Sequence, residues 1–172
     1  GVCLLSRYPI LEHEEIVTGH RMRHMRATFN VEGVTVTVYV IHPKTPDFVP
    51  PYRYDASGRA SAFDQLLPRM AAETNPVLVL CDCNMTDRSE DYGRMARLFN
   101  DAFREAGWGM GFTFPSGVEL IPPAIRIDYV WYSDEFVARD AYVAEGGGPS
   151  DHLPVVAEVA LRDSTPNERA AR

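Results

Sequence analysis

A mixed α/β sandwich is the fold class that the sequence predicts, and three observations predict it. Val34, Val36, Val38 and Val40 alternate with Thr35, Thr37 and Tyr39, the period-two pattern of a strand with one strongly apolar face. Residues 77–80 are a short continuous apolar run, as in a strand covered on both faces. Between and after these runs apolar residues return at helical spacing, so strands alternate with helices in layers. The 172 residues fit one domain, assigned to residues 1–162, followed by a flexible tail over 163–172 that carries Ser164, Pro166 and Asn167.

The elements follow in order. Residues 1–6 read as a strand already under way, with no initiator Met and no polar lead-in, so the chain is expected to begin inside a larger protein. The basic group Arg21, Arg23, His24 and Arg26 reads as a solvated strand face. His42 continues the valine register and Pro43 ends that strand. A loop with Pro46, Pro50 and Pro51 is long enough to be functional. Phe63, Leu66, Leu67 and Met70 then fall on one helix face, where Pro68 removes a backbone bond and predicts a kink. After the strand at 77–80, Met95, Leu98, Phe99, Ala102 and Phe103 predict a second amphipathic helix ending near Gly107, with Asp87 or Ser89 available as caps. The Gly- and aromatic-rich stretch from Trp108 to Pro115 reads as a loop lying against the site. Strands are expected at 127–132, 138–144 and 154–161.

Composition excludes several classes of function. Seventeen basic against 24 acidic residues give a net charge of −7, so the overall field does not draw the chain onto a polyanion, and no stable nucleic-acid binding is expected. The apolar runs are strand-sized, far short of the roughly 20 residues that span a bilayer, and no membrane span is expected in this piece. Three cysteines cannot all pair within one chain, and Cys81 and Cys83 point the same way along a strand, so they are expected as buried free thiols. A zinc site built on them lacks a second Cys or His cluster.

Four strand ends carry polar groups of catalytic type: His42, Cys81-Asp82-Cys83-Asn84, Arg126-Ile127-Asp128-Tyr129 and Ser150-Asp151-His152. Asp82 and Asn84 are two apart, so an extended backbone points both side chains the same way, one a charged acceptor and the other an amide donor. Such a pair orients a water molecule and holds a phosphate oxygen. Asp151 sets a hard oxygen ligand beside the His152 imidazole, and a second carboxylate such as Asp128 fixes the imidazole tautomer or stabilises its cation. An oxygen-rich donor set of this kind prefers magnesium, manganese or calcium over zinc. Singly, each motif also has a structural reading as a turn, a cap or one paired acid.

Together with Leu5-Ser6-Arg7-Tyr8-Pro9-Ile10, these motifs in this order resemble the endonuclease/exonuclease/phosphatase superfamily, metal-dependent phosphoesterases that include deoxyribonuclease I, neutral sphingomyelinases and inositol polyphosphate phosphatases. The resemblance implies a four-layer α/β/β/α sandwich of the deoxyribonuclease I type, truncated at its N-terminus. It implies a hydrolase in which water attacks a phosphodiester or phosphomonoester in line, dependent on Mg2+, with Mn2+ or Ca2+ as substitutes. His152 is then the base or charged stabiliser at the scissile phosphate, Asp128 its hydrogen-bonded partner and Asp82 the group that orients or deprotonates water. Asn84 and Arg7 bind phosphate, His42 assists the leaving group, and Asp151 and Asp82 lie on the metal side. Two departures stand out: Cys81 and Cys83 replace the family's turn glycine and packing aromatic, and its metal-binding Glu lies upstream of Ser6, so the isolated piece is expected to be inactive. Nucleic acid, a phospholipid headgroup and a small phosphate ester all remain as substrates. The Trp108-to-Pro115 stretch is similar to bacterial members in some of which membrane helices precede the domain, which makes a membrane-anchored parent one expectation. A non-catalytic binding module that keeps the fold is the alternative.

Overall fold

The computed structural model describes residues 1–49, 53–117, 121–146 and 148–162; the tail assigned to 163–172 lies outside the described residues. Strands β1 (Ile10–Val17), β2 (Arg23–Val31) and β3 (Val34–Ile41) form an antiparallel meander. Glu32 and Gly33 turn β2 into β3 with φ of 52° and 93°, the left-handed pair that suits the twist of a two-residue hairpin, and Asn30 Oδ1 accepts from the Gly33 N–H at 2.8 Å. A small hairpin, β4 (Asp47–Val49) and β5 (Arg53–Asp55), precedes helix α1 (Ser57–Ala71). The chain then enters β6 (Val77–Asp82), parallel to β3, so β3, α1 and β6 form a crossover unit with the helix on one face of the sheet.

Helix α2 (Glu90–Met95), strand β7 (Asn100–Asp101), helix α3 (Ala102–Ala106) and strand β8 (Asp128–Tyr132) follow, and β8 runs antiparallel to β6. The large sheet has the order β1-β2-β3-β6-β8-β7. Strands β9 (Phe136–Val143) and β10 (Val155–Leu161) pair as a second sheet. One core lies on the helical face and gathers Tyr39, Ile41, Phe63, Leu66, Met70 and Trp131. The other lies on the opposite face and joins Phe29, Val36 and Val38 to Phe136 and Ala141 of the second sheet. Each fully buried Phe or Leu contributes about 2 kcal/mol of apolar transfer, so the layers are held from both faces of the large sheet.

Several expectations need correction. The valine face of β3 is not the only apolar one: Thr37 and Tyr39 are fully buried on the helical side, where Tyr39 donates its hydroxyl to Glu73 at 2.6 Å. The basic run is not a solvated face, because β2 alternates: Arg23 is exposed, His24 is fully buried, and Arg26 holds Glu73 through two hydrogen bonds of 2.5 and 2.8 Å. The single helix expected from Met95 to Gly107 is two helices separated by β7. Asp101 breaks it, accepting from the N–H groups of Phe103 and Arg104 as the cap of α3 while its own residue pairs with Trp131 of β8. Residues 1–6 form no strand; Leu4 and Tyr8 pack against the second core while Leu5 is exposed. Helix α1 runs on through Pro68 to Ala71. Ser89 caps α2 as anticipated, accepting from the Tyr92 N–H at 3.1 Å.

Candidate active site

The topology brings the functional strand ends together. Parallel β3 and β6 end side by side, with Ile41 opposite Cys81, and antiparallel β8 begins at the same end, with Asp128 directly across from Asp82. The Cys83 N–H donates to the Ile127 carbonyl at 2.9 Å and extends this pairing one residue further. His42 follows β3 directly, so His42, Asp82 and Asp128 share one edge of the sheet. His152 arrives from the loop before β10. That loop is tied down by Leu153 N–H to the Thr113 carbonyl at 2.8 Å and by Ser116 N–H to the Asp151 carbonyl at 2.6 Å.

Within the cluster, His152 Nδ1 lies 2.8 Å from Asp128 Oδ2. His42 Nε2 lies 3.3 Å from Asp82 Oδ2, and the Asn84 N–H donates to Asp82 Oδ1 at 3.2 Å. One donor atom from each of Asp82, Asp128 and His152 lies within 4.8 Å of the others. Burial pushes the Asp82 carboxyl above the usual carboxylate range, and repulsion from Asp128 adds to it; attraction to His42 and His152 offsets only part. Burial by itself would lower the His152 imidazole, but its hydrogen bond to Asp128 and the charges of Asp128, Asp82 and Asp151 outweigh this and raise it. Phe114 packs its ring against the His152 ring at 5.0 Å between centroids.

All four strand-end motifs therefore meet. His42, Asp82, Asn84, Asp128, Asp151 and His152 line one cavity of about 770 Å³. Asp151 is exposed on the wall of that cavity and stands outside the three-residue group of Asp82, Asp128 and His152. Arg7 is not brought in: it is exposed, donates Nη2 to the Tyr8 hydroxyl at 3.0 Å, and is absent from the cavity lining. Cys81 and Cys83 are buried as expected but bonded to each other rather than free, with Cα atoms 5.0 Å apart. Two extended residues would span about 6.6 Å. The strand stops at Asp82 and Asn84 adopts a left-handed φ of 48°, so the chain has already turned and the two sulfurs meet, which removes them as zinc thiolates.

Two groups that the sequence reading passed over hold this geometry. Arg59, fully buried in α1, donates Nε to Asp91 at 2.8 Å and Nη1 to the Asn84 carbonyl at 2.6 Å, pinning the backbone of Asn84 where its left-handed conformation is costly. Its sequence signal was a cation four residues before Phe63, on the apolar stripe. Thr113 is also fully buried; its hydroxyl accepts the Ile127 N–H at 3.3 Å while its carbonyl anchors Leu153, so one residue connects the approaches to Asp128 and His152. Nothing in its neighbourhood of glycines and aromatics marks it.

A large sheet with α1 and α2 on one face, a second sheet together with α3 on the other and an acid–imidazole cluster at the strand ends defines a sandwich of the deoxyribonuclease I class. The sequence model of the Endonuclease/Exonuclease/phosphatase family matches residues 1–152, and the chain belongs to that family, whose members are typically phosphoesterases and generally depend on a divalent metal. Among solved structures, the chain is similar to the mannosyl-6-phosphatase of Bacteroides thetaiotaomicron VPI-5482, with a TM-score of 0.75 at 15% identity over 90% of this chain and 67% of that one. An endonuclease/exonuclease/phosphatase from Bacteroides vulgatus gives a TM-score of 0.74 at 19% identity, with the same coverage of 90% and 67%. The human Nocturnin catalytic domain with bound sulfate anion gives 0.65 at 19% identity over 91% of this chain and 60% of that one. The chain thus spans about two thirds of the length of the bacterial relatives. No curated protein matches it in a sequence search. No helix among the described residues is long and apolar enough to cross a membrane.

Proposed function

We propose that this chain carries the acid–base and phosphate-binding groups of a magnesium-dependent hydrolase that cleaves a phosphate ester by in-line attack of water. The observation that carries the reading is the convergence of Asp82, Asp128 and His152 within 4.8 Å, in one cavity with His42 and Asn84. The donor set fits a hard cation. Two carboxylates face each other across paired strands, and burial together with their repulsion lifts Asp82, which a cation between them would relieve. Asp82 and Asp128 would hold it, with Asp151 on the same wall. When bound, Mg2+ supplies fixed positive charge against the phosphate oxygens.

The remaining chemistry belongs to the side chains. Asp128 occupies Nδ1 of His152, which leaves Nε2 as the position that holds or moves a proton in the cavity. Against the opposing effect of burial, the hydrogen bond to Asp128 and the surrounding carboxylates strengthen its hold on a proton, and a charged stabiliser at the phosphate is the role given to His152. Asp82 orients the attacking water or accepts its proton. His42 lies against Asp82 and serves the leaving group. Asn84 offers its amide to a phosphate oxygen after giving up its bond from Nδ2 to the Pro43 carbonyl at 3.1 Å. The names of the neighbours, a mannosyl-6-phosphatase and a domain with bound sulfate anion, accord with a tetrahedral oxyanion as ligand.

The test is hydrolysis of a panel of phosphodiesters and phosphomonoesters, with Mg2+ and with chelator, by the 172-residue chain and by its parent protein. Turnover by the parent that chelator abolishes is the expected result. No turnover by either form contradicts the hydrolase and moves the reading to a binding module.

A further inference from the structure

The cavity that holds the acid–imidazole cluster is much larger than a phosphate group requires, at about 770 Å³, and its outer wall is made by the β4–β5 hairpin. Phe48 and Tyr54 are direct partners across that hairpin, and their rings meet edge to face, 5.8 Å between centroids and 69° between planes. Both line the cavity, yet Phe48 is 76% exposed and Tyr54 54%. A single exposed aromatic is ordinary; two paired rings held out on one wall of a reaction cavity form an apolar surface left largely uncovered by the described residues.

The wall is also fixed relative to the chemistry. The Tyr54 hydroxyl accepts from Nη1 of Arg59 at 3.0 Å, and the same nitrogen donates to the Asn84 carbonyl at 2.6 Å. One buried guanidinium therefore sets both the ring wall and the phosphate-facing amide. The rest of the described lining decides what the wall receives. It contains no Lys or Arg, so it has no charge for a second phosphate. Asp82 and Asp128 are engaged with the two histidines, and besides the exposed Asp151 carboxylate the side chains left to answer a polyol are Thr45, Thr86 and Ser150, whose hydroxyl already accepts the His152 N–H at 3.1 Å.

We propose that Phe48 and Tyr54 form a ring-binding subsite, and that the substrate is a phosphate ester whose organic group carries an aromatic ring, a nucleobase or an aryl group. The proposal rests on the reading of the Asp–His cluster as a phosphate site, and the subsite supplies the contact that the cluster does not. Stacking of a ring on such side chains is sequence-tolerant and is worth about tenfold or more in affinity.

The probes are phenylphosphonate and methylphosphonate, which share a non-hydrolysable anionic group and differ in the ring, titrated into the full chain in the presence of Mg2+ with binding followed by calorimetry. Phenylphosphonate is expected to bind about tenfold tighter than methylphosphonate. Phe48→Ala should reduce that preference at least about threefold without changing methylphosphonate affinity; Tyr54→Ala should reduce it likewise, and Tyr54→Phe, which keeps the ring, should retain most of it. Equal affinity for the two probes, a preference that survives the double alanine variant, or tighter binding of mannose 6-phosphate than of phenylphosphonate would overturn the subsite. If phenylphosphonate binds with the expected dependence on both rings and methylphosphonate shows no binding, the subsite stands and the phosphate-site reading falls; if neither binds, both fall.

Discussion

Lowering the pH should unlock the strand end that carries His42, through a residue buried directly beneath it. His24 is fully buried in β2; its Nδ1 accepts the His42 N–H at 3.2 Å and its Nε2 lies 2.9 Å from Thr18 Oγ1. Because Nδ1 is an acceptor, the proton of the neutral ring sits on Nε2 and donates to Thr18. Protonating Nδ1 sets two N–H groups against each other and charges a fully buried ring. Burial, with a smaller contribution from His42, accordingly pushes the His24 pKa down from 6.5 to about 4. The sign follows directly: between those values the unfolded chain binds the proton and the folded chain does not, so stability is complete above 6.5 and is lost as pH falls toward 4. At about 1.4 kcal/mol for each pH unit of difference, the loss totals about 3 kcal/mol, of which about 2 kcal/mol is gone by pH 5. Urea unfolding at pH 5 and pH 8 for the natural chain and His24→Gln measures it. The variant starts less stable but should show a pH dependence smaller by about 2 kcal/mol. Equal pH dependence in both chains, or a His24 resonance that titrates near 6.5, would refute the buried-neutral assignment.

Other consequences are independent of this one. In metal-free protein the His152 imidazole should titrate above 6.5 by NMR, and Asp128→Asn should lower its midpoint; an unchanged midpoint would mean that the hydrogen bond does not set the proton. Arg59→Met leaves Asp91 buried with only the 3.2 Å contact from Arg94, and should cost about 3 kcal/mol in a denaturant titration, at the lower end for a broken buried pair; a cost under about 0.5 kcal/mol would show that the guanidinium pins nothing. In denaturant without reductant a thiol reagent should count one thiol, Cys3, and three after reduction; three at the outset would restore Cys81 and Cys83 as free thiols.

Much of the site was legible because catalytic groups at strand ends interrupt a pattern that packing would otherwise continue. Asp82 closes an apolar run, Asp128 opens one, and β-sheet pairing then makes them neighbours. The position of Arg7, exposed and away from the cavity lining, was not legible, because it depends on a loop whose course periodicity does not encode. The strand at Val34 was recognised, but not the burial of its Thr37 and Tyr39 face, since Thr and Tyr read as solvent-facing until a helix covers them. The merging of α2, β7 and α3 into one expected helix has a similar cause: the spacing of Met95, Phe99, Ala102 and Phe103 suits a helix, while the edge pairing of Asn100 and the capping by Asp101 are tertiary. His24 looked like part of a basic run because the sequence does not show that β2 turns its ring inward while the neighbouring Arg23 faces solvent. The Cys81–Cys83 bond was excluded on strand geometry that ends one residue too early.

The account turns on His152 acting at the phosphate, held by Asp128 at 2.8 Å. Its most direct test is turnover of a phosphate ester by the parent protein and its His152→Ala variant, with Mg2+ present and at the same pH. A fall of at least about a hundredfold in kcat, with the fold intact by circular dichroism, is the predicted result for loss of a positioned proton-bearing group. Retention of most of the turnover would remove His152 from the chemistry and contradict the assignment of the cluster as the active site.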